Sequence, residues 1–275
     1  MIVIIKRIFG IVFEAWQNFN RDYGWAIASH VALSGLFALF PFLIFATSIA
    51  AFFELTQFAD TVVPLLFDAW PKEAGAVIVA EIQSILTVPR RDFLTFGGLL
   101  TLFFASNGVE ALRVALNRSY RLKDGRTYFY LRMQSFAFVI VAIIMLLSVT
   151  FLLVLLPLGW RIAENWWGFI GPYGDTVWFW RLVVTFFILL TALIVSHLYL
   201  PAGKRCIKDV MPGVIFTVIF WIFASLAFGA YLEQFADYVS TYAGLAGAMI
   251  GLLYLYLLGA IFIFGGEINA AAHNA

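Results

Sequence analysis

The chain has 275 residues, of which 63% are hydrophobic and 12% charged, and its formal net charge is +1. A soluble domain carries about 25% charged residues, and a soluble fold of this length lacks the interior for so much apolar surface. Composition excludes an ordinary soluble domain and predicts an all-α polytopic membrane protein, with one integral domain spanning 1–275.

The opening stretch, MIVIIKRIFGIVFEAWQNF, is not expected to act as a cleavable signal peptide. Lys6 and Arg7 break its apolar start, and no small-residue cleavage site follows. Ile4, Ile8, Ile11, Val12 and Ala15 can share one helical face, with Lys6, Glu14 and Gln17 off its centre. The stretch is therefore an amphipathic helix, lying on the membrane surface or packed on the bundle.

Six runs free of Asp, Glu, Lys and Arg follow, at 23–53, 93–109, 133–160, 182–203, 210–232 and 238–266. A helix needs about 20 residues to cross the hydrocarbon. Barrel strands alternate over about 10 residues, whereas these runs are continuously apolar, and a helix pairs its own backbone groups. The second run has only 17 residues, so its helix is expected to continue and to carry Glu110 and Arg113. Six transmembrane helices are predicted, near 25–53, 93–116, 134–157, 177–199, 211–233 and 243–267.

In the first span, ASHVALSGLFALFPFLIF, the small residues Ala28, Ala32, Ser34 and Gly35 permit close helix approach. Pro41 lies deep in that span and predicts a kink, with a broken transporter-type helix as the alternative. Segment 54–92 is punctuated by Pro64, Pro71 and Pro89, and Ile78, Ile82, Ile85 and Leu86 line one face. One or two short amphipathic helices on the outer mouth of the bundle are expected there. Asp22, Asp92, Asp175 and Asp209 each precede an apolar run and are read as helix caps.

The second span ends in FFASNGVEALRVALNRSY. At about 100° per residue, Asn107, Glu110, Asn117 and Arg113 fall within one sector of about 120°. Other spans bring polar groups to the same depth. His30 stands near the start of the first, and the fourth closes with SHLYLPAGKR, containing His197, Lys204 and Arg205. The sixth closes with GGEINAAAH, containing Glu267 and Asn269. Earlier in the sixth, Gly247 and Gly251 form a GxxxG pair suited to contact within the monomer or between two copies. Between the third and fourth spans, Trp160, Trp166, Trp167, Tyr173, Trp178 and Trp180 are expected to form an interfacial belt, with a ligand-binding aromatic box as the alternative. Cys206, the single cysteine, excludes an intrachain disulfide.

Six spans put both termini on one side. That side holds 12 of the 17 basic residues and six of the 16 acidic ones, so the positive-inside rule places both termini in the cytoplasm.

Two readings of the polar end compete. In one, the groups meet headgroups and water, and Glu110 or Glu267 pairs with Arg113. In the other, they line a cytoplasm-facing cavity for a polar or anionic ligand. The candidate ligand-binding set is Asn107, Glu110, Arg113, Asn117, Glu267, Asn269, His30, Lys204 and Arg205, with the arginines offering forks for phosphate or carboxylate. There is no Cys/His metal spacing, no GxxxxGK[ST] loop and no HExxH motif, so no cofactor or metal is expected. The basic stretch 118–132 faces anionic lipid more naturally than nucleic acid.

The stretches ALSGLFALFPFLIF, ASNGVEALRVALNRSY, LYLPAGKRCIKDVMPGVIFTVIFW and TYAGLAGAMIGLLYLYLLGAIFIFGGEINA occur in this order. Together they resemble the YihY/virulence factor BrkB family of bacterial inner-membrane proteins, once labelled ribonuclease BN, over roughly 15–270. The first-span ASHVALSG lacks the tyrosine that many members carry there. The resemblance implies six helices with both ends in the cytoplasm. Its nuclease label implies phosphodiester hydrolysis, which needs gathered metal-binding carboxylates or histidines, and no such set can be assembled from this sequence. The expected function is transport or lipid translocation, and the alternative is a non-catalytic scaffold or lipid-binding envelope protein.

Overall fold

The structure, a computed structural model, describes residues 2–52, 93–234 and 243–274. The predicted outer-mouth helices and Asp92 lie outside these residues. The protein is an all-α polytopic membrane protein, with no strand among the described residues. Its helices are α1 (Ile2–Arg21), α2 (Gly24–Phe52), α3 (Phe93–Ser119), α4 (Tyr128–Thr150), α5 (Leu156–Trp166), α6 (Gly174–Tyr199), α7 (Ile207–Gln234) and α8 (Ala243–Asn274). A π-helical turn, Phe151–Leu155, joins α4 to α5, and a 3-10 turn, Gly168–Tyr173, leads into α6.

Among the described residues, five helical stretches are long and apolar enough to cross a membrane: Thr95–Ser119, Tyr128–Arg161, Gly171–Tyr199, Ile207–Leu232 and Gly247–His273. Helix α2 has 29 residues, none of them Asp, Glu, Lys or Arg. Large side chains point outward from these helices, among them Ile144, Leu147, Phe187, Phe223 and Leu226. That inversion is stable only where lipid replaces water.

The bundle centres on α2, α3, α7 and α8, with α4 against α3 and α6 against α7. Phe19, Ala28, Leu116, Leu200, Val214 and Ile263 form its buried core. Glycines set the close approaches. A Cβ on Gly98 would stand 3.1 Å from the Phe45 ring, and one on Gly97 3.3 Å from the Pro41 carbonyl. At the α7–α8 crossing, a Cβ on Gly213 would overlap the Gly265 carbonyl oxygen, and one on Gly265 would overlap Thr217 Oγ1. Gly247 and Gly251 play no such part, because a Cβ on either meets no atom within 4 Å among the described residues. Among the described residues, close glycine contact is made by Gly213 and Gly265 on different helices. Helix α2 runs on through the buried Pro41 as one helix, so the broken-helix alternative is not seen.

Helix α1 uses both halves of a wide apolar sector. Ala15 packs with Ile268 and Ala271 of α8, and Phe19 joins the main core. Phe9, Val12, Phe13 and Trp16 remain exposed on the adjoining face. The helix is thus packed on the bundle, and it also presents an apolar face outward.

The end of α1, the end of α3 and the last turns of α8 meet at one end of the bundle, here called the basic end. Two corners there hold non-glycine residues at positive φ, Tyr23 (60°) and Arg121 (57°). After α3, Leu122 N–H donates to Asn117 O at 2.8 Å and Arg121 N–H to Arg118 O at 2.9 Å, a Schellman closure with arginine in the usual glycine place. The Arg121 guanidinium ion-pairs with the Asp22 carboxylate, and Arg118 donates to Asp22 O at 3.4 Å. Asp22 therefore clamps the α1–α2 corner to α3, where a cap for α2 was expected. Asp175 lies inside the first turn of α6, and the N-cap there has no side-chain hydrogen bond. Asp209 does cap, taking the Cys206 N–H at 2.8 Å from within α7.

An exposed ion pair contributes little, whereas a left-handed arginine is strained by about 1 kcal/mol relative to glycine. Arg121→Gly should therefore melt higher than Arg121→Ala by the equivalent of about 1 kcal/mol. Thermal unfolding in detergent reads the ranking.

Candidate functional site at the basic end of the bundle

The polar face of α3 is real, and its groups are engaged by neighbouring elements. Glu110 accepts from Arg113 at 3.1 Å and from Arg132 of α4 at 3.2 Å. Arg132 also donates to Asn107 Oδ1 at 2.9 Å and lies between the Phe103 and Phe136 rings, 4.9 and 5.3 Å from their centroids. Arg113, buried, donates to Leu131 O at 3.3 Å. Asn117 donates to Asp124 at 3.0 Å and accepts the Ala202 N–H at 2.7 Å. This face joins α3 to α4 and to the loop before α7.

Asp124 anchors the loop between α3 and α4. Arg126 donates to its two oxygens at 2.7 and 2.6 Å, and also to Leu200 O at 3.0 Å. The Arg126 hydrogen bonds hold the Asp124 carboxyl down at about 2, below its ordinary 3.8. A depressed carboxylate contributes stability that is complete above the ordinary value and is lost as pH falls through the folded one. Acid destabilisation between about pH 4 and pH 2 should thus be shallower in Asp124→Asn than in wild type, as measured by unfolding midpoints across that window.

A second group lies beside this network, and it has bonding capacity left over. Glu267 of α8 is 1% exposed, and its Oε1 accepts the Ser119 hydroxyl at 2.8 Å. Its Oε2 has no partner. Two residues on, fully buried Asn269 takes the Gly213 N–H at 2.6 Å through Oδ1, while its Nδ2 has no partner. The close α7–α8 crossing makes that bond possible. Tyr120, next after α3, has a buried hydroxyl that faces Asn269 outside hydrogen-bond geometry. Arg205 lies over the Tyr120 ring at 3.9 Å from its centroid. Its Nη2 donates to Ala202 O at 2.7 Å, and its buried Nη1 is unpartnered. His197 of α6, fully buried, stacks on Phe262 at 4.5 Å with both ring nitrogens unpartnered.

Burial raises the Tyr120 hydroxyl above its ordinary value, opposed by Asn269 and Arg205. Burial likewise lowers Arg205, opposed by Tyr120 and Asp209. Each unpaired buried polar atom costs about 1–3 kcal/mol. Several such atoms at the same end mark a place for water or a polar ligand.

Of the sequence candidates, Glu267, Asn269 and Arg205 lie around Tyr120, and Ala202 links Arg205 to Asn117 at the end of the α3 face. His30 and Lys204 are exposed. Tyr120 and Ser119 were missed. His197, at this end by sequence as well, lies outside the candidate set. Among the described residues, no three His, Cys, Asp or Glu side chains stand together as a metal site.

An all-α bundle with several apolar spans and a buried polar cluster at one end defines a multi-pass integral membrane protein. Within that class, the chain belongs to the Virulence factor BrkB family, which it matches over residues 15–275. It is 28% identical to the ribonuclease-like protein YfkH of Bacillus subtilis over 264 residues, covering 95% of this chain and 94% of that one. It is 26% identical to a UPF0761 membrane protein of Rhodospirillum centenum over 265 residues, which is 95% of this chain and 57% of that longer protein. No solved structure matches the chain.

Proposed function

We propose that the protein is a bacterial inner-membrane transporter or lipid translocator for a polar or anionic ligand. The ligand engages Arg205, Tyr120, Asn269 and Glu267 at the basic end, which faces the cytoplasm by its charge. One observation carries this reading: side chains from three parts of the chain meet in a buried cluster and retain unpaired donors, whereas the neighbouring α3 face has spent its own. Arg205 presents a free guanidinium edge suited to phosphate or carboxylate. Asn269 Nδ2 and the Tyr120 hydroxyl add neutral donors, and Glu267 supplies an acceptor. The role is carriage rather than catalysis, and the ribonuclease-like name remains that of the relative.

Ligand-induced stabilisation tests the site. Purified protein is melted with inorganic phosphate, glycerol phosphate, dicarboxylates and phosphatidylglycerol. A ligand present at a hundredfold its Kd raises stability by about 2.7 kcal/mol. Arg205→Ala should abolish that response and Tyr120→Phe should weaken it. A wild type that responds only to lipid, identically in both variants, supports a lipid-binding scaffold instead.

A further inference from the structure

Helix α1 carries Lys6, Arg7, Glu14 and Arg21, too many charges for a span, and its surface divides into three arcs. Counted from Ile8 at about 100° per residue, Ile11, Ala15 and Phe19 fall between about 300° and 20°. These three pack on the bundle. Val12, Trp16, Phe9 and Phe13 fall between about 40° and 140°. All four are exposed, Phe9 by 72% and Phe13 by 53%. The polar side chains, Lys6 and Gln17 first among them, occupy the remaining arc from about 160° to 260°. One side of the helix is thus held by protein, the next is apolar and uncovered, and the third suits water.

The uncovered arc is continuous with the lipid-facing surface. The Trp16 ring stands 6.4 Å from that of Phe264 in α8, and Phe264 stands 5.2 Å from Phe216 of α7. Phe216 stacks at 4.1 Å on Phe220, whose outward face continues to Phe223. Helix α7 is long and apolar enough to span, so its outward rings lie in lipid. At its other end α1 is tied to the polar level of the bundle by the Asp22–Arg121 ion pair. An apolar arc placed between those two levels belongs at the boundary of headgroups and acyl chains.

Charge selects the occupant. Lys6 borders the apolar arc next to Phe13, where a long stem can lie on the arc while the ammonium reaches outward. Lys6 and Arg7 are exposed, and neither makes an ion pair among the described residues. The helix has three basic residues and one acidic, so a second copy of the same face would set like charges together. We propose that the exposed arc of α1 inserts into the leaflet at the basic end and binds anionic phospholipid there through Lys6 and Arg7. This anchor stands independently of transport, since it shares no residue with the Arg205 cluster.

The full-length chain with Cys206→Ser receives a single cysteine as Phe9→Cys, Phe13→Cys or Gln17→Cys. Each carries a fluorescent label and is reconstituted in nanodiscs of phosphatidylcholine, with or without phosphatidylglycerol. Labels at 9 and 13 should be quenched by a nitroxide on the lipid and protected from aqueous iodide. The label at 17 should behave in the opposite way. Lys6→Gln and Arg7→Gln should each weaken insertion by about fivefold in discs containing phosphatidylglycerol, and leave it unchanged without that lipid. Labels at 9 and 13 as open to iodide as the one at 17 would overturn the insertion. Labels shielded from both quenchers would overturn the lipid assignment in favour of a protein partner. Insertion indifferent to phosphatidylglycerol and to both charges would overturn the anionic preference. Positions 9 and 13 each report alone, so the loss of one variant to misfolding leaves the other to decide.

Discussion

Gly213→Ala is expected to break the packing of α7 on α8. The new methyl would overlap the Gly265 carbonyl and stand 2.7 Å from the Asn269 carboxamide. Backbone cannot retreat as a flexible side-chain end can, so α7 must shift as a whole. Overpacking of this kind costs about 1–3 kcal/mol, and the overlap with backbone puts this site at the upper end. The shift would also pull the Gly213 N–H from Asn269, which then loses the bond that orients it in the cluster. Gly247→Ala and Gly251→Ala are the matched controls, since neither methyl meets an atom within 4 Å among the described residues. They should melt at or above wild type, because alanine favours helix over glycine by about 1 kcal/mol. Thermal midpoints and gel-filtration profiles in detergent read the difference. A Gly213→Ala protein that melts like wild type would contradict the crossing described here.

Arg113→Ala should be the most damaging change on the α3 polar face. Its side chain is 5% exposed, pairs with Glu110 at 3.1 Å and reaches the Leu131 carbonyl. Glu110 is partly exposed and keeps Arg132, so the cost falls below that of a fully buried pair, at about 1–3 kcal/mol. The loss should be one of stability alone: the fraction that folds keeps its response to ligand. Arg205→Ala should behave in the opposite way, with a small change in melting and a lost ligand response. If Arg113→Ala melted normally but no longer responded to ligand, the ligand would belong on the α3 face.

These two residues show what the sequence can and cannot reveal. Periodicity on a single helix identifies a face, so Asn107, Glu110, Arg113 and Asn117 were legible as one polar stripe. It does not identify the neighbour. That Arg132, 22 positions after Glu110, neutralises the stripe depends on how α4 folds back on α3. The ends of the apolar runs likewise place Glu267, Asn269 and Arg205 at a common depth, and in the structure all three lie around Tyr120. Tyr120 escaped notice because it follows the last turn of α3, and its role depends on Arg205 stacking over it from a distant loop. The glycines differ in the same way. The GxxxG spacing in α8 is conspicuous, yet the close contact is between Gly213 and Gly265, each on a different helix. A spacing rule within one segment has no access to such a pair.

The most direct measurement is movement across a membrane. Proteoliposomes containing the wild-type chain should carry labelled phosphatidylglycerol or a small anion faster than protein-free liposomes. Arg205→Ala should fall to the protein-free rate, and folded Arg113→Ala should retain the wild-type rate. A wild type no faster than empty liposomes for every anionic lipid and small anion tested would contradict the proposed function.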